Sequence, residues 1–250
     1  MKEMSFIEHL EELRSTLIRI LTILLISFAI CYFIGESISE ILLAPLRLLL
    51  DGKIQGKIVY LSVLDKVLSH LQLAFWTALI LSSPLWFYEL WKFIAPALYE
   101  HEKRMVRPFV LVGFFLFVLG VVLGHFVVLP LFLETLMGFG VVDVEAAIGL
   151  KAYLILTVKM LVLLGLLFQL PNGVLILGFM GLVTKYSLRR LRRTIYFSLA
   201  VMSALLTPAD VLTMFGLWLP MIVLYEVGIL GVALIVHPYL ERQNRDEGSR

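Results

Sequence analysis

Six stretches of this chain run with no acidic or basic residue, or with a single one, and that pattern limits its folds more than any other feature. They are Ile20 to Gly35, Val67 through Pro84 to Tyr88, Pro108 to Leu133, Met160 to Thr184, Thr194 to Ala209, and Val211 to Leu240, the last interrupted by Glu226. A helix crossing about 30 Å of hydrocarbon needs roughly 20 residues, so most of these runs are long enough to span a bilayer, while the fifth is short. A water-soluble domain has no room for them: of 250 residues 60% are hydrophobic and 16% charged, and a chain of this length cannot hide so much apolar surface from water. The expected fold is an all-α integral membrane protein of six transmembrane helices.

Charge between the spans sets the orientation. Lys2, Arg14, Arg19, then Lys92, Lys103, Arg104, Arg107, then Lys185, Arg189, Arg190, Arg192, Arg193, and finally Arg242, Arg245, Arg250 fall in one alternating set of intervals. The other set holds only Arg47, Lys53, Lys57, Lys66 and Lys151. The positive-inside rule makes the first set cytoplasmic and places both termini inside, as an even number of spans requires. One transmembrane domain, residues 1–240, is expected. It comprises an amphipathic cytoplasmic helix (1–16), an extracytoplasmic segment (36–66), cytoplasmic loops at 92–107 and 185–193, and a polar tail at 241–250. The outer segment, with Pro45 and the Asp51-Gly52 turn signal among leucines, reads as short helices capping the outer face, with 134–151 a smaller element of the same cap. The first apolar run follows an acidic helix and no small-residue cleavage pattern comes after it, so it reads as a span and not a cleaved signal peptide.

Several chemistries are excluded. The single cysteine, Cys31, rules out an internal disulfide and a cysteine-based zinc site. There is no phosphate loop of the G-x-x-x-x-G-K-[ST] type and no G-x-S-x-G elbow, and His101-Glu102-Lys103-Arg104-Met105 lacks the second imidazole of a zinc protease. No enzyme, cofactor, metal or nucleic-acid partner is expected. Uphill transport would draw on an ion gradient or a partner.

Two glutamates stand out by what their helices deny them. Ser5-Phe6-Ile7-Glu8 is a capping box, and Ile7, Leu10, Leu13, Leu17 and Ile20 follow at helical spacing. On that helix Glu11 has Arg14 three residues on, but Glu12 has only Glu8, His9, Ser15 and Thr16 at three and four residues. In the next cytoplasmic connection Pro96 opens a helix on which Glu100 precedes Arg104 by four, whereas Glu102 has Leu98, Tyr99, Met105 and Val106. These acids are either a solvated face or a site for a peptide carrying its own arginines, which bind carboxylates in bidentate fashion.

The landmarks His9-Leu10-Glu11-Glu12-Leu13-Arg14, Ala44-Pro45-Leu46, Ser82-Ser83-Pro84, Phe93-Ile94-Ala95-Pro96-Ala97-Leu98-Tyr99 and Leu206-Thr207-Pro208-Ala209-Asp210 occur across most of the chain. In this order they resemble the TatC family, the multi-spanning receptor subunit of the twin-arginine protein translocase. The resemblance implies a core subunit in the cytoplasmic (inner) membrane of a prokaryote, recognising Arg-Arg signal peptides so that folded proteins are exported using the proton gradient. It implies TatB-type and TatA-type single-span partners and other copies of the chain itself. It assigns the signal-peptide site to Glu12, Glu102 and Phe93, beside which Glu8 adds a further carboxylate, and gives Pro45 and Pro84 roles in the fold and Asp210 a place at the outer end. Two positions depart from the family pattern: Gln169 stands where a glutamate is common, and Met214 where an amide is frequent.

The remaining polar groups within the spans carry two readings each. Glu226 faces protein either as an internal contact or as a partner-helix contact, because an exposed carboxylate in lipid costs about 2.5 to 3.5 kcal/mol. Lys159 snorkels to the outer interface, and His125 is a hydrogen-bonded packing residue. Gly113, Gly120 and Gly124 suit close helix approach. A secondary transporter of a small solute is the alternative function, to which only Pro171 with Gln169 points.

Overall fold

The computed structural model describes residues 6–52, 56–94, 106–138, 146–206 and 211–236. Its helices are α1 (Phe6–Phe33), α2 (Gly35–Gly52), α3 (Asp65–Leu81), α4 (Ser83–Ile94), α5 (Val106–Leu123), α6 (Leu129–Gly138), α7 (Leu150–Leu167), α8 (Leu170–Phe179), α9 (Lys185–Leu206) and α10 (Val211–Gly231). A π-helical turn, Gly124–Val128, joins α5 to α6, and another, Val232–Val236, extends α10. Among the described residues, four continuous stretches are long and apolar enough to cross a membrane: Leu10–Phe33, Val110–Gly138, Leu150–Phe179 and Thr213–Val236. The pair α3 and α4 makes a fifth if counted as one broken span, bent by 57°.

Boundaries move from the sequence reading for local reasons. The amphipathic N-terminal segment and the first span are one helix, because nothing between Glu12 and Ile20 breaks the backbone ladder. The fourth apolar run starts earlier than Met160, at Leu150, since Lys151 is neutralised by Asp65 across the helix pair, at 3.1 Å, and need not end the helix. The fifth run is not short. Helix α9 begins at Lys185 and has 22 residues, about 33 Å of rise, with the basic cluster riding on its first turns.

The cap is built differently from the expected set of short helices. Helix α2 alone covers 18 residues and buries Leu42, Leu43, Leu46 and Leu49 against α3, α6 and α7. Pro45 lies inside it, where the missing N–H loosens one turn, and the Tyr153 hydroxyl donates to the nearby Leu42 carbonyl at 2.7 Å. Two four-residue strands, β1 (Gly56–Val59) and β2 (Ala146–Gly149), pair in parallel with Gly56 opposite Ala146. The all-helical expectation did not include them, for pairing across ninety residues leaves no local signature.

Glycine permits the tightest helix crossing. A Cβ on Gly120 would sit 2.8 Å from the Leu164 carbonyl oxygen and 3.0 Å from Gly165 Cα, and one on Gly165 would meet the Phe117 ring at 2.6 Å. Helices α5 and α7 therefore touch at backbone distance, as the spacing of the glycines predicts. Below the cap core lies a second one centred on Leu164, Leu217, Met221, Tyr225 and Ile229. Leu17, Leu21, Leu25, Phe126, Leu219 and Leu234 instead face outward, as expected where the solvent is hydrocarbon.

Candidate functional site

Two contacts fix how α1 lies against the broken helix α3–α4. At one end the His70 Nε2 atom meets the Tyr32 carbonyl at 2.7 Å, with the two rings edge to face at 4.8 Å. Gly35 is required beside them, since a Cβ there would fall 2.5 Å from the imidazole. Toward the other end Arg19 Nε donates to Glu89 Oε2 at 2.6 Å, and Arg19 Nη2 donates to the buried Thr16 hydroxyl at 3.0 Å. Moving from Tyr32 to Arg19 on α1 thus corresponds to moving from His70 to Glu89, so the helices run antiparallel. Glu12 and Phe93 both lie beyond the Arg19–Glu89 clamp, on the same side of it.

Glu12 is half-buried there. Its Oε2 atom is buried and has no hydrogen-bond partner among the described residues, and no cation among them pairs with it. A carboxylate oxygen withdrawn from water without a donor is costly, so the position is suited to a cation from outside the chain. The neighbouring acid is different: Glu89 is largely buried and already held by Arg19. Phe93, half-buried one turn beyond Glu89, and the buried Trp91 line the end of α4. The backbone of Glu8 is helical but its side chain lies outside the described residues, as do Glu102 and Asp210 altogether.

The break that aims α4 is chemically explicit. Pro84 has no N–H to continue the ladder, and the Ser82 hydroxyl donates to the Ala78 carbonyl at 2.6 Å while the Trp86 indole donates to the Leu79 carbonyl at 2.9 Å. Ser82 and Ser83 are both buried.

Gln169 sits at a second break, between α7 and α8, where Pro171 occupies the first turn of α8. Its amide nitrogen donates to the Gly113 carbonyl at 2.9 Å and its oxygen accepts from Asn172 at 3.3 Å. Gly113 is thus a hydrogen-bonding approach as well as a packing one. Glu226 lies near the middle of the apolar stretch Thr213–Val236, opposite the basic part of α9, where Arg192 and the Tyr196 hydroxyl both donate to it. Further bonds close the same hairpin: Trp218 to the Tyr196 carbonyl, Tyr225 to the Leu188 carbonyl and Ser203 to the Met214 carbonyl. Met214 therefore joins the network through its backbone. Imidazole Nδ1 of the buried His125, in the first π turn, has no partner among the described residues, contrary to the hydrogen-bonded packing role expected of it.

Sequence reasoning missed the Arg19–Glu89 pair, because spacing arithmetic sees only partners one turn away on the same helix. The Arg192–Glu226 pair did leave a signal. The two residues stand about equally far from the connection at 207–210, so an antiparallel hairpin must bring them level. No group of three or more metal-ligating side chains occurs among the described residues.

Residues 8–220 match the family model described as TatC, Sec-independent protein translocase protein. The Sec-independent protein translocase protein TatC of Desulforapulum autotrophicum is 35% identical over 90% of this chain and 83% of its own length. That of Helicobacter pylori is 31% identical over 92% and 87%. A crystal structure of the twin-arginine translocase receptor TatC superposes with a TM-score of 0.77 at 31% identity, covering 91% of this chain and 99% of that one. A second, of the receptor in the detergent DDM, gives 0.76 at 30%, covering 89% and 98%.

Proposed function

This chain belongs to the TatC family of Sec-independent protein translocase proteins, and from that premise we propose that it binds Arg-Arg signal peptides at the mouth between α1 and α4. It is a membrane-embedded component of a protein translocase and not an enzyme; the solute-transporter alternative has no support beyond the α7–α8 break. The observation that carries the reading is the contrast between two acids: Glu89 has a resident guanidinium, and Glu12 has a buried oxygen with no partner among the described residues.

Glu12 and Glu102 read the two arginines, Phe93 packs beside the alkyl stems, and Glu8 adds negative potential at the entrance. Micromolar affinity corresponds to about 8 kcal/mol, and a hydrogen bond to a charged group contributes roughly 1.5 to 3, so two arginine contacts supply about 3 to 6. The remainder comes from burying the apolar segment of the signal peptide against the bundle at about 25 cal/mol per Å².

The chain crosses the inner membrane of a prokaryote six times, with both termini in the cytoplasm; α9 is the fifth span, its five basic residues from Lys185 to Arg193 resting at the cytoplasmic surface. Strands β1 and β2 and helix α2 then form an extracytoplasmic cap. Pro45 shapes α2, Pro84 aims α4, and Gln169 and Glu226 hold helices within the chain together. A bundle this size has no passage for a folded protein, so TatB-type and TatA-type subunits and further copies of the chain assemble with it, and the proton gradient drives export.

Binding of labelled peptides to the full chain in nanodiscs tests the site. Glu12→Ala and Glu102→Ala should each remove most of the preference for Arg-Arg over Lys-Lys peptides. Unchanged preference in both variants would reject the assignment.

A further inference from the structure

The mouth between α1 and α4 already holds one guanidinium, and the way it is held bears on which peptides the mouth admits. Arg19 Nε donates to Glu89 Oε2 at 2.6 Å, and Arg19 Nη2 donates to the Thr16 hydroxyl at 3.0 Å. The acid is the more buried half of the pair, its side chain 14% exposed against 41% for the arginine, and Thr16 is buried. Glu12, Thr16 and Arg19 stand at i, i+4 and i+7, so they share one face of α1, and α4 meets that face through Glu89. Seven residues of rise put the Glu12 Cα about 10 Å along α1 from that of Arg19.

Without Arg19 the mouth would present Glu89 as well as Glu12 as an unneutralised carboxylate. Attraction to such a pair follows charge and distance, not shape, and a lysine ammonium, a compact charge on a flexible stem, answers it as readily as an arginine fork. With Glu89 neutralised, these two helices offer Glu12, whose Oε2 atom is buried and has no hydrogen-bond partner among the described residues. An oxygen withdrawn in this way rewards a donor that arrives in the right geometry, and a planar guanidinium presents several at once. We propose that Arg19 is a specificity-determining residue: held by Glu89 and Thr16, it fills a further arginine subsite from within the chain and so denies lysine-bearing peptides the extra negative charge that would bind them. The proposal rests on reading the mouth as the site for Arg-Arg signal peptides. Its logic is rejection of the wrong ligand by removing an unselective attraction. Thr16 distinguishes the contact from a plain ion pair, because a hydroxyl on Nη2 fixes the plane of the guanidinium and keeps Nε turned to Glu89.

Labelled synthetic signal peptides, identical except for Arg-Arg or Lys-Lys, test this by titration against the full chain in nanodiscs of neutral phosphatidylcholine. In Arg19→Gln the Lys-Lys peptide should bind about fivefold more tightly than in the wild type, while Arg-Arg affinity changes less, so the ratio of the two narrows. The double variant, Arg19→Gln with Glu89→Gln, lacks the ion pair but also the freed charge, and should bring the ratio back; a clamp that merely held the helices together would leave the single and double variants alike. Arg19→Lys keeps the charge and should keep most of the ratio. Thr16→Val loosens the guanidinium without unpairing a charge and should raise Lys-Lys affinity about twofold, which decides the matter if Arg19→Gln fails to fold. An unchanged ratio in Arg19→Gln, a ratio as narrow in the double variant as in the single, or wild-type Lys-Lys affinity in Thr16→Val would overturn the proposal. Glu12→Ala separates the two levels. If it keeps the Arg-Arg preference, the signal-peptide reading fails and takes this inference with it; if it loses the preference while Arg19→Gln keeps it, the role of Arg19 alone is refuted.

Discussion

The α9–α10 hairpin and the α1–α4 mouth both bring acids and arginines into a largely apolar bundle, yet they treat them in opposite ways. In the hairpin Glu226 takes two donors from α9, and Trp218, Tyr225 and Ser203 each find a carbonyl. At the mouth Glu89 is matched and, among the described residues, Glu12 is not. The difference lies in the acids: Glu226 is answered by two donors within the chain, although Arg192 Nε beside it has no partner among the described residues, while a buried oxygen of Glu12 has none among them at all.

Breaking the satisfied network should cost stability and spare recognition. Arg192→Ala leaves Glu226 with the Tyr196 hydroxyl alone and should destabilise the fold by about 2 to 3 kcal/mol, since both side chains keep some exposure. A lowered thermal midpoint in detergent, with Arg-Arg peptide affinity intact once the protein is folded, is the expected result. The unsatisfied site should respond the other way. Glu12→Gln should weaken Arg-Arg peptide binding about tenfold while leaving the midpoint unchanged or raised, because it removes a buried charge without a partner. A lowered midpoint would mean that Glu12 is structural.

Smaller effects sharpen the contrast. Tyr225→Phe deletes one buried donor whose acceptor is the Leu188 carbonyl, and should lower stability by about 1 kcal/mol with no change in peptide binding. Arg19→Gln should alter stability least, by about 0.5 kcal/mol for a half-exposed pair. Its informative consequence lies in selectivity: with Glu89 released, a second carboxylate opens beside Glu12, and the preference for Arg-Arg over other basic peptides should narrow in a competition assay.

The parts of this molecule that follow from periodicity and spacing were legible in the sequence. Apolar runs marked the four continuous membrane-length stretches and the broken α3–α4 pair, the glycines at 113, 120 and 124 announced close approach, and the spacing around Glu12 showed no cation one turn away on its own helix. What the sequence hid depends on which helix meets which. Arg19 reads as an orientation charge until α4 arrives with Glu89, and Lys151 reads as the end of a run until Asp65 answers it from α3. The strand pair at the cap joins segments of four residues each, too short for alternation to register. Gln169 reads in the sequence as a departure from the family glutamate, and its tie to the backbone of α5 depends on how the two helices meet.

The interruption between α3 and α4 has a mechanical consequence. A continuous rod from His70 to Phe93 would carry any pull on its end straight through to the cap. Because the rod is bent by 57° at Ser82 to Pro84, a load applied at Phe93 along α4 does not act along the axis of α3.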